Sequence, residues 1–409
     1  MRIILCALAI VGFYSAQSLA QDPWPAEGNA NAVKLTGVDA EFDAVNMSGA
    51  FWNPVTRTLW LANNSGRFYA LKEDGVGSFK VATNASGTKA RWAPGGDLEA
   101  ICQVNYTDSI VYLMDENSSI REYDVSNYGV VNENRSWNIT AECPEVGGTT
   151  GPEGIAFVPD EWLSRQGFRA ASGALYTSTN GMGGLMFVGH QSGGYVHAFD
   201  LVPTGTTYGY VGKYKTSRSE TADLAFDRST GKLYIWHNIG ANYLEVAELN
   251  SYISGADRRL RTIVEYTGPR SGNLEGFACV PTQETNNWCF VTDDDNLNSE
   301  AIMWYRQFQP SEDVDADGLP DGWELWHWGT TTQTVGLADS DLDGWSNAQE
   351  YVADTDPTNN RSFFPPLCWD GAGSGLRLII NTTSTNRTYY IDFRTNLLEI
   401  GRASCRERV

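Results

Sequence analysis

Between residues 31 and 310 the chain repeats one pattern of short apolar strands and polar turns, at intervals of about 50 residues. First strands open as NMSGAFW at 46, DLEAICQV at 97, GPEGIAFV at 151, ETADLAFD at 220 and NLEGFACV at 273. Second strands follow as TLWLANN, IVYLMDEN, LMFVGHQ, KLYIWHN and WCFVTDDD, and a third strand comes after each. Some copies add a fourth strand, such as GSFKVAT or RTIVEYT. Four antiparallel strands per copy is the pattern of a β-propeller blade, in which radial packing keeps sheet edges short and shielded. The expected fold is all-β: a five-bladed β-propeller over residues 31–310. A six-bladed ring is the alternative, with a degenerate blade inside the long third copy, where residues 158–182 form an insertion. AVKLTGV (32–38) is placed to supply the outer strand of the last blade and close the ring.

Paired residues of a hairpin share a constant index sum. Setting Ser48 against Asn63, Glu99 against Asp115, Ala222 against His237 and Glu275 against Asp293 centres every turn on polar residues. The same register sets Cys279 opposite Cys289, a spacing that suits either a cross-strand disulfide or two free buried thiols. Inner strands of a propeller line its central channel. The aligned first-strand position reads Ser48, Glu99, Glu153, Ala222 and Glu275, and two residues earlier it reads Asn46, Asp97, Gly151, Glu220 and Asn273. Second strands end on Asn63, Asp115, His190, His237 and Asp293. Carboxylates held this close raise one another's pKa unless a cation intervenes, and a hard cation takes oxygen ligands. Calcium near the axis is the leading expectation, with Glu99 and Glu275 as ligands. Two other readings stand beside it. The polar groups cap strand ends, or His190 and His237 join Asp115 or Asp293 around a transition metal. If the ring is catalytic, Glu153, His190, His237 and Asp115 are its candidate residues.

The run SGAFWNPVTRTLWLANNSGRFYAL, with GGDLEAI and VYLMDENSSIREYD after it, resembles the SdiA-regulated and phytase-like (esterase-like) propeller families over roughly residues 40–305. The resemblance implies a secreted or envelope propeller, often calcium-linked, with phosphoester hydrolysis among its activities. The chain departs from the acidic pattern at Ala222 and has no cluster of Lys and Arg for a highly phosphorylated substrate. No GxSxG elbow, HExxH or P-loop is present.

Residues 311–360 carry the most specific motif. DVDADGLPDGWE puts Asp313, Asp315, Asp317, Asp321 and Glu324 at loop positions 1, 3, 5, 9 and 12, and DSDLDGWSNAQE repeats this with Asp339, Asp341, Asp343, Asn347 and Glu350. Acids at alternating positions converge on one cation, a glycine at position 6 permits the sharp turn, and the last glutamate binds through both oxygens. Two EF-hand-like calcium loops are expected, each leading into a short helix. With DTDPTNNRSFF (354–364) the segment resembles bacterial thrombospondin type-3-like and dockerin-like calcium repeats, which implies a calcium-stiffened spacer.

The remaining segments set the context. Residues 1–20 read as a secretory signal, with Arg2 before a short apolar run and SLA before Gln21. No later run is long enough to span a bilayer, so a secreted, periplasmic or cell-surface protein without a transmembrane segment is expected. A net charge of −21 argues against nucleic-acid partners. Residues 365–398 read as a small truncated β-module, and 399–409 resemble a translated sequencing adapter and are set aside. The expected partners are a small-molecule or glycan-like ligand at the channel mouth and a cell-surface or protein partner of the C-terminal modules. The competing functions are a metal-dependent phosphoesterase or lactonase-like hydrolase on the same ring, and a surface adhesion or scaffolding protein.

Overall fold

The computed structural model describes residues 22–34, 46–74, 79–147, 150–280, 287–295, 300–311, 313, 317–328, 336–353, 355–362, 366–370 and 376–380. The signal segment, the C-terminal tail, Asp315 and the expected strand after residue 386 lie outside the described residues.

The chain is all-β. A two-residue strand β1 (Val33–Lys34) precedes β2 (Gly49–Asn53), β3 (Thr58–Asn63), β4 (Arg67–Glu73) and β5 (Phe79–Val81), with β6 (Arg91–Trp92) at the side of β4. β7 (Leu98–Cys102), β8 (Ile110–Asp115), β9 (Ser119–Asp124) and β10 (Glu133–Asn138) form the next antiparallel sheet. β11 (Pro152–Pro159) runs into helix α1 (Asp160–Arg165) and then β12 (Gly184–His190), β13 (Tyr195–Leu201) and β14 (Tyr208–Lys215). β15 (Asp223–Asp227), β16 (Lys232–His237), β17 (Tyr243–Ser254) and β18 (Asp257–Thr267) follow, and β19 (Leu274–Cys279), β20 (Trp288–Asp293) and β21 (Ile302–Arg306) complete the body. The long β17–β18 ribbon reaches β14, where one parallel pair, Lys215 and Arg259, merges two four-stranded groups into an eight-stranded sheet. The sheet almost closes on itself, because its two edge strands, β11 and β15, lie against each other. β1 pairs with β21, so the N-terminal segment completes the last sheet.

Turn chemistry follows the sequence. Asn53 Oδ1 accepts the N–H groups of Val55 and Thr56 at 3.0 and 2.9 Å, and Asp227 Oδ1 accepts that of Ser229 at 2.7 Å. Aromatic and β-branched side chains fill the faces between successive sheets. Trp52 stacks on Phe290 at 5.8 Å between the first and last sheets, and Trp236 stacks on Phe277 at 5.7 Å between the last two. Met114, Trp137, Ile155 and Phe199 fill the gap between β7–β10 and β11–β14.

The first strands make a closed circuit: β2 lies against β7, β7 against β11, β11 against β15, β15 against β19, and β19 against β2. Glycines permit this approach. A methyl group on Gly276 of β19 would stand 2.5 Å from the Ser48 carbonyl oxygen, and one on Gly49 of β2 would stand 2.3 Å from that of Glu99.

After the body come helices α2 (Asp321–Trp328) and α3 (Asn347–Ala353), then a hairpin of β22 (Pro366–Asp370) and β23 (Leu376–Ile380). α2 packs against β18, and Tyr266 donates from its hydroxyl to the Ser311 carbonyl. No helix among the described residues is long and apolar enough to cross a membrane.

Candidate functional site

Three glutamates of the aligned first-strand position meet at the axis. Carboxylate oxygens of Glu99, Glu153 and Glu275 lie within 4.8 Å of one another. Glu99 and Glu153 are 7% and 5% exposed. The strands present them by a shared device. The pairing of β7 with β8 shifts register between Leu98 and Ala100, that of β11 with β12 between Pro152 and Ile155, and that of β19 with β20 between Leu274 and Phe277. Each shift is a bulge that contains the glutamate, and a bulge re-aims the side chain it carries. β2 and β15, whose aligned residues are Ser48 and Ala222, pair without a shift. The bulges correct the expected register: Leu98, not Glu99, faces Asp115, and Leu274, not Glu275, faces Asp293. Above the bulges the index sums hold, and Cys279 does face Cys289, with both thiols free.

Among the described residues, no Lys, Arg or His pairs with these three carboxylates. Glu99 shares hydrogen bonds with Ser48 and Asp97, whereas Glu153 and Glu275 have none from described residues. Burial pushes all three carboxyls well above the ordinary range. The neighbouring charge of Asp97 adds to this at Glu99, those of Glu99 and Glu275 at Glu153, and those of Asp294 and Glu99 at Glu275. A second tier surrounds them. Glu116 and Glu220 are pushed up to about 7, mainly by burial, and Asp294 to about 6. Asp294 accepts hydrogen bonds from Asn64 at 3.0 Å and from Ser48 at 3.4 Å. Asp97, Glu99 and Glu116 form a further close group at the rim. The nearby arginines are committed elsewhere: Arg270 to Asp293 and Glu300, Arg218 to Glu265, and Arg121 to Asp115 and Glu133.

The other expected ring residues stand outside this cluster. Asp115 pairs with Arg121 at 3.1 Å and caps the turn at Asn117. His190 accepts the Ser192 N–H at Nδ1 and donates from Nε2 to the Pro144 carbonyl, both at 3.0 Å, and burial lowers its pKa. His237 is fully buried. Its Nε2 faces Glu245 at 3.0 Å and its Nδ1 faces the Glu220 carbonyl.

The C-terminal loops are folded around oxygens. Asp339 accepts the N–H groups of Asp343 and Gly344 at 3.2 and 2.9 Å, and Asp313 accepts those of Asp317 and Gly318 at 3.1 and 2.9 Å. Gly318 and Gly344 hold positive φ angles of 92° and 98°, as the sharp turn requires. Asp339, Asp341 and Asp343 converge within 4.8 Å. Among the described residues, Asp341 Oδ2, Asp343 Oδ2, Glu350 Oε2 and, in the first loop, Asp317 Oδ2 are buried without a hydrogen-bond partner. Burial and the three aspartates push Glu350 up to about 7. Asn347 is buried and its Oδ1 accepts the Ser340 N–H at 3.3 Å. Asp321 opens α2, and Glu324 is buried on the same helix. Oxygen-only donors of this kind fit a hard divalent cation.

No family model matches the chain. No curated protein matches it either. Among the solved structures that resemble it is Raptor of Chaetomium thermophilum, with 9% identity and a TM-score of 0.35, over 66% of this chain and 21% of that one. The chain thus spans about a fifth of Raptor's length, and a likeness at this level carries no functional argument.

Sequence reasoning missed Asp223, a 2% exposed acid one residue beyond the aligned position. Its only signal is an acid inside the run ADLAF, where an apolar residue is expected.

Proposed function

We propose that the chain is an exported, calcium-binding β-propeller of five blades. Glu99, Glu153 and Glu275 hold one divalent cation at the channel mouth, and a small ligand docks through that cation. The two C-terminal loops hold further calcium and stiffen a spacer. This is the kind of protein that the resemblance to the SdiA-regulated and phytase-like families implies. Support for five blades is that each first strand touches two others, so the circuit closes without a sixth. The observation that carries the function is the convergence of three carboxylates around one point, two of them with no hydrogen-bond donor among the described residues. Such a group either holds protons or holds a cation, and calcium's oxygen coordination suits it.

The test is calcium titration of the full chain with both loops silenced by Glu324→Gln and Glu350→Gln. One calcium should remain, and Glu153→Gln together with Glu275→Gln should remove it. A loop-silenced chain that binds no calcium overturns the reading. A hydrolase on the same ring is the second reading. It is favoured by Glu116 and Glu220, held near 7, where a general base works best. A calcium-dependent rate on a phosphoester or lactone panel, lost in Glu220→Gln, would put it first.

A further inference from the structure

Asp223 is a buried acid outside both cation sites. Asp223 opens β15, and its carboxylate gathers main-chain donors from several sheets. The N–H of Leu224 reaches Oδ1 at 2.8 Å, and that of Phe277 on β19 reaches Oδ2 at 2.9 Å. The N–H groups of Ala50 on β2 and Ile155 on β11 lie near it and favour its ionised form, without completing hydrogen bonds. β2 lies between β19 and β7 in the circuit, so a carboxylate of β15 that meets β2 as well as β11 and β19 stands at the axis. The four donors are one repeated position. Each lies two residues beyond Ser48, Glu153, Ala222 or Glu275. In β11 and β19 they directly follow the bulges that hold Glu153–Gly154 and Glu275–Gly276. The fit is close: a methyl on Gly154 would stand 2.8 Å from the Asp223 Cα.

Buried N–H groups without an acceptor are costly, and a carboxylate is the strongest acceptor a protein offers them. A side chain that ties the strand just past a bulge also limits where the bulged residue can point.

We propose that Asp223 is an axial anchor: its carboxylate holds four first strands, β2, β11, β15 and β19, together and so sets the spacing of Glu153 and Glu275 in the cation site. It is a positioning residue and touches no ligand itself. Its anchoring role stands on the hydrogen bonds alone, whereas its effect on the cation rests on the proposed function above.

The experiment uses the full-length, loop-silenced chain and its Asp223→Ala and Asp223→Asn variants, with calcium titration and thermal melting, each with and without sodium formate. Formate is small enough to replace the lost carboxylate. Asp223→Ala should bind calcium about tenfold more weakly and melt lower, with formate restoring both. Asp223→Asn, which keeps one acceptor oxygen, should lose less and respond less to formate. Calcium affinity equal to the parent's in both variants overturns the positioning role. A melting loss that formate leaves unchanged overturns the anchor. Should Asp223→Ala not fold, the Asn variant's affinity decides the first point, and recovery of folded Asp223→Ala on refolding in formate decides the second. If the parent binds no calcium, the cation reading and the positioning role fall together, and formate-reversible melting still decides the anchor.

Discussion

Glu153 is the residue whose behaviour separates a metal site from a structural acid. In the calcium-free protein its carboxyl is held well above the ordinary range, first by burial and then by Glu99 and Glu275. A carboxyl with a raised folded-state pKa contributes stability below its unfolded pKa and loses it as pH rises through the folded value. At pH 8 in chelator, Glu153→Gln should therefore be more stable than the parent by about 1–2 kcal/mol. In saturating calcium the order should reverse, because the variant lacks a ligand. Urea melts under both conditions test this, and an unreversed order contradicts the cation site. His197 shows the opposite sign away from the cluster. Burial lowers its pKa from 6.5 to about 3, helped by His190. The unfolded chain takes up the proton first, so stability falls as pH drops from 6.5 toward 3. His197→Phe should flatten that slope by about 3 kcal/mol between pH 7 and 4. An unaltered slope in chemical denaturation across that range would show that His197 is not the group responsible.

Among the elements, the first strands matter most, and the bulges decide what they present. Index sums located the first turn of four copies from residue numbers alone, because strand length and turn chemistry are local. They misplaced Glu99 and Glu275 by one position because a bulge adds a residue on one strand only, and its place depends on the neighbouring strand. Gly49 and Gly276 show that dependence in their contacts. An added methyl at Gly276 would meet Thr292 Oγ1 at 2.4 Å and the Ser48 carbonyl at 2.5 Å. Gly276→Ala should cost about 2–4 kcal/mol and weaken calcium binding at the channel, since β19 must retreat from β2. Equilibrium unfolding and calcium titration check the two effects separately. The two acidic loops were legible from their spacing, because their oxygens are close in sequence and their geometry is set by the loop itself.

Across the whole molecule, closure falls to the N-terminal segment. Trp24 packs edge-on against Trp236 and Tyr305 at 6.1 and 5.5 Å, Asp22 exchanges main-chain hydrogen bonds with Glu265 and Thr267, and Glu27 pairs with Arg306 at 2.9 Å. β1 then completes the last sheet. Deleting residues 21–34 should cost about 3–5 kcal/mol, the order of losing one buried tryptophan, and an unchanged urea midpoint would refute the strap. The acidic loops reach this scale too, because α2 carries Glu324 and packs on β18. Chelation should open residues 311–362 to proteolysis while the propeller body resists, and calcium should protect them. Equal cleavage with and without calcium would count against a metal-stiffened spacer.

Strand content, the repeat, the turn positions and the C-terminal acidic loops follow from the sequence by itself, since each depends on residues within a few positions of one another. Which acids of the ring meet was settled by tertiary structure. Glu99, Glu153 and Glu275 come from sheets far apart in the chain, and they converge because bulges turn them inward and glycines let the strands approach. The same long-range packing turns His190, His237 and Asp115 to other partners and brings the Phe277 N–H of another sheet onto Asp223. No local pattern encodes those choices, because each is fixed by a backbone contributed from another sheet.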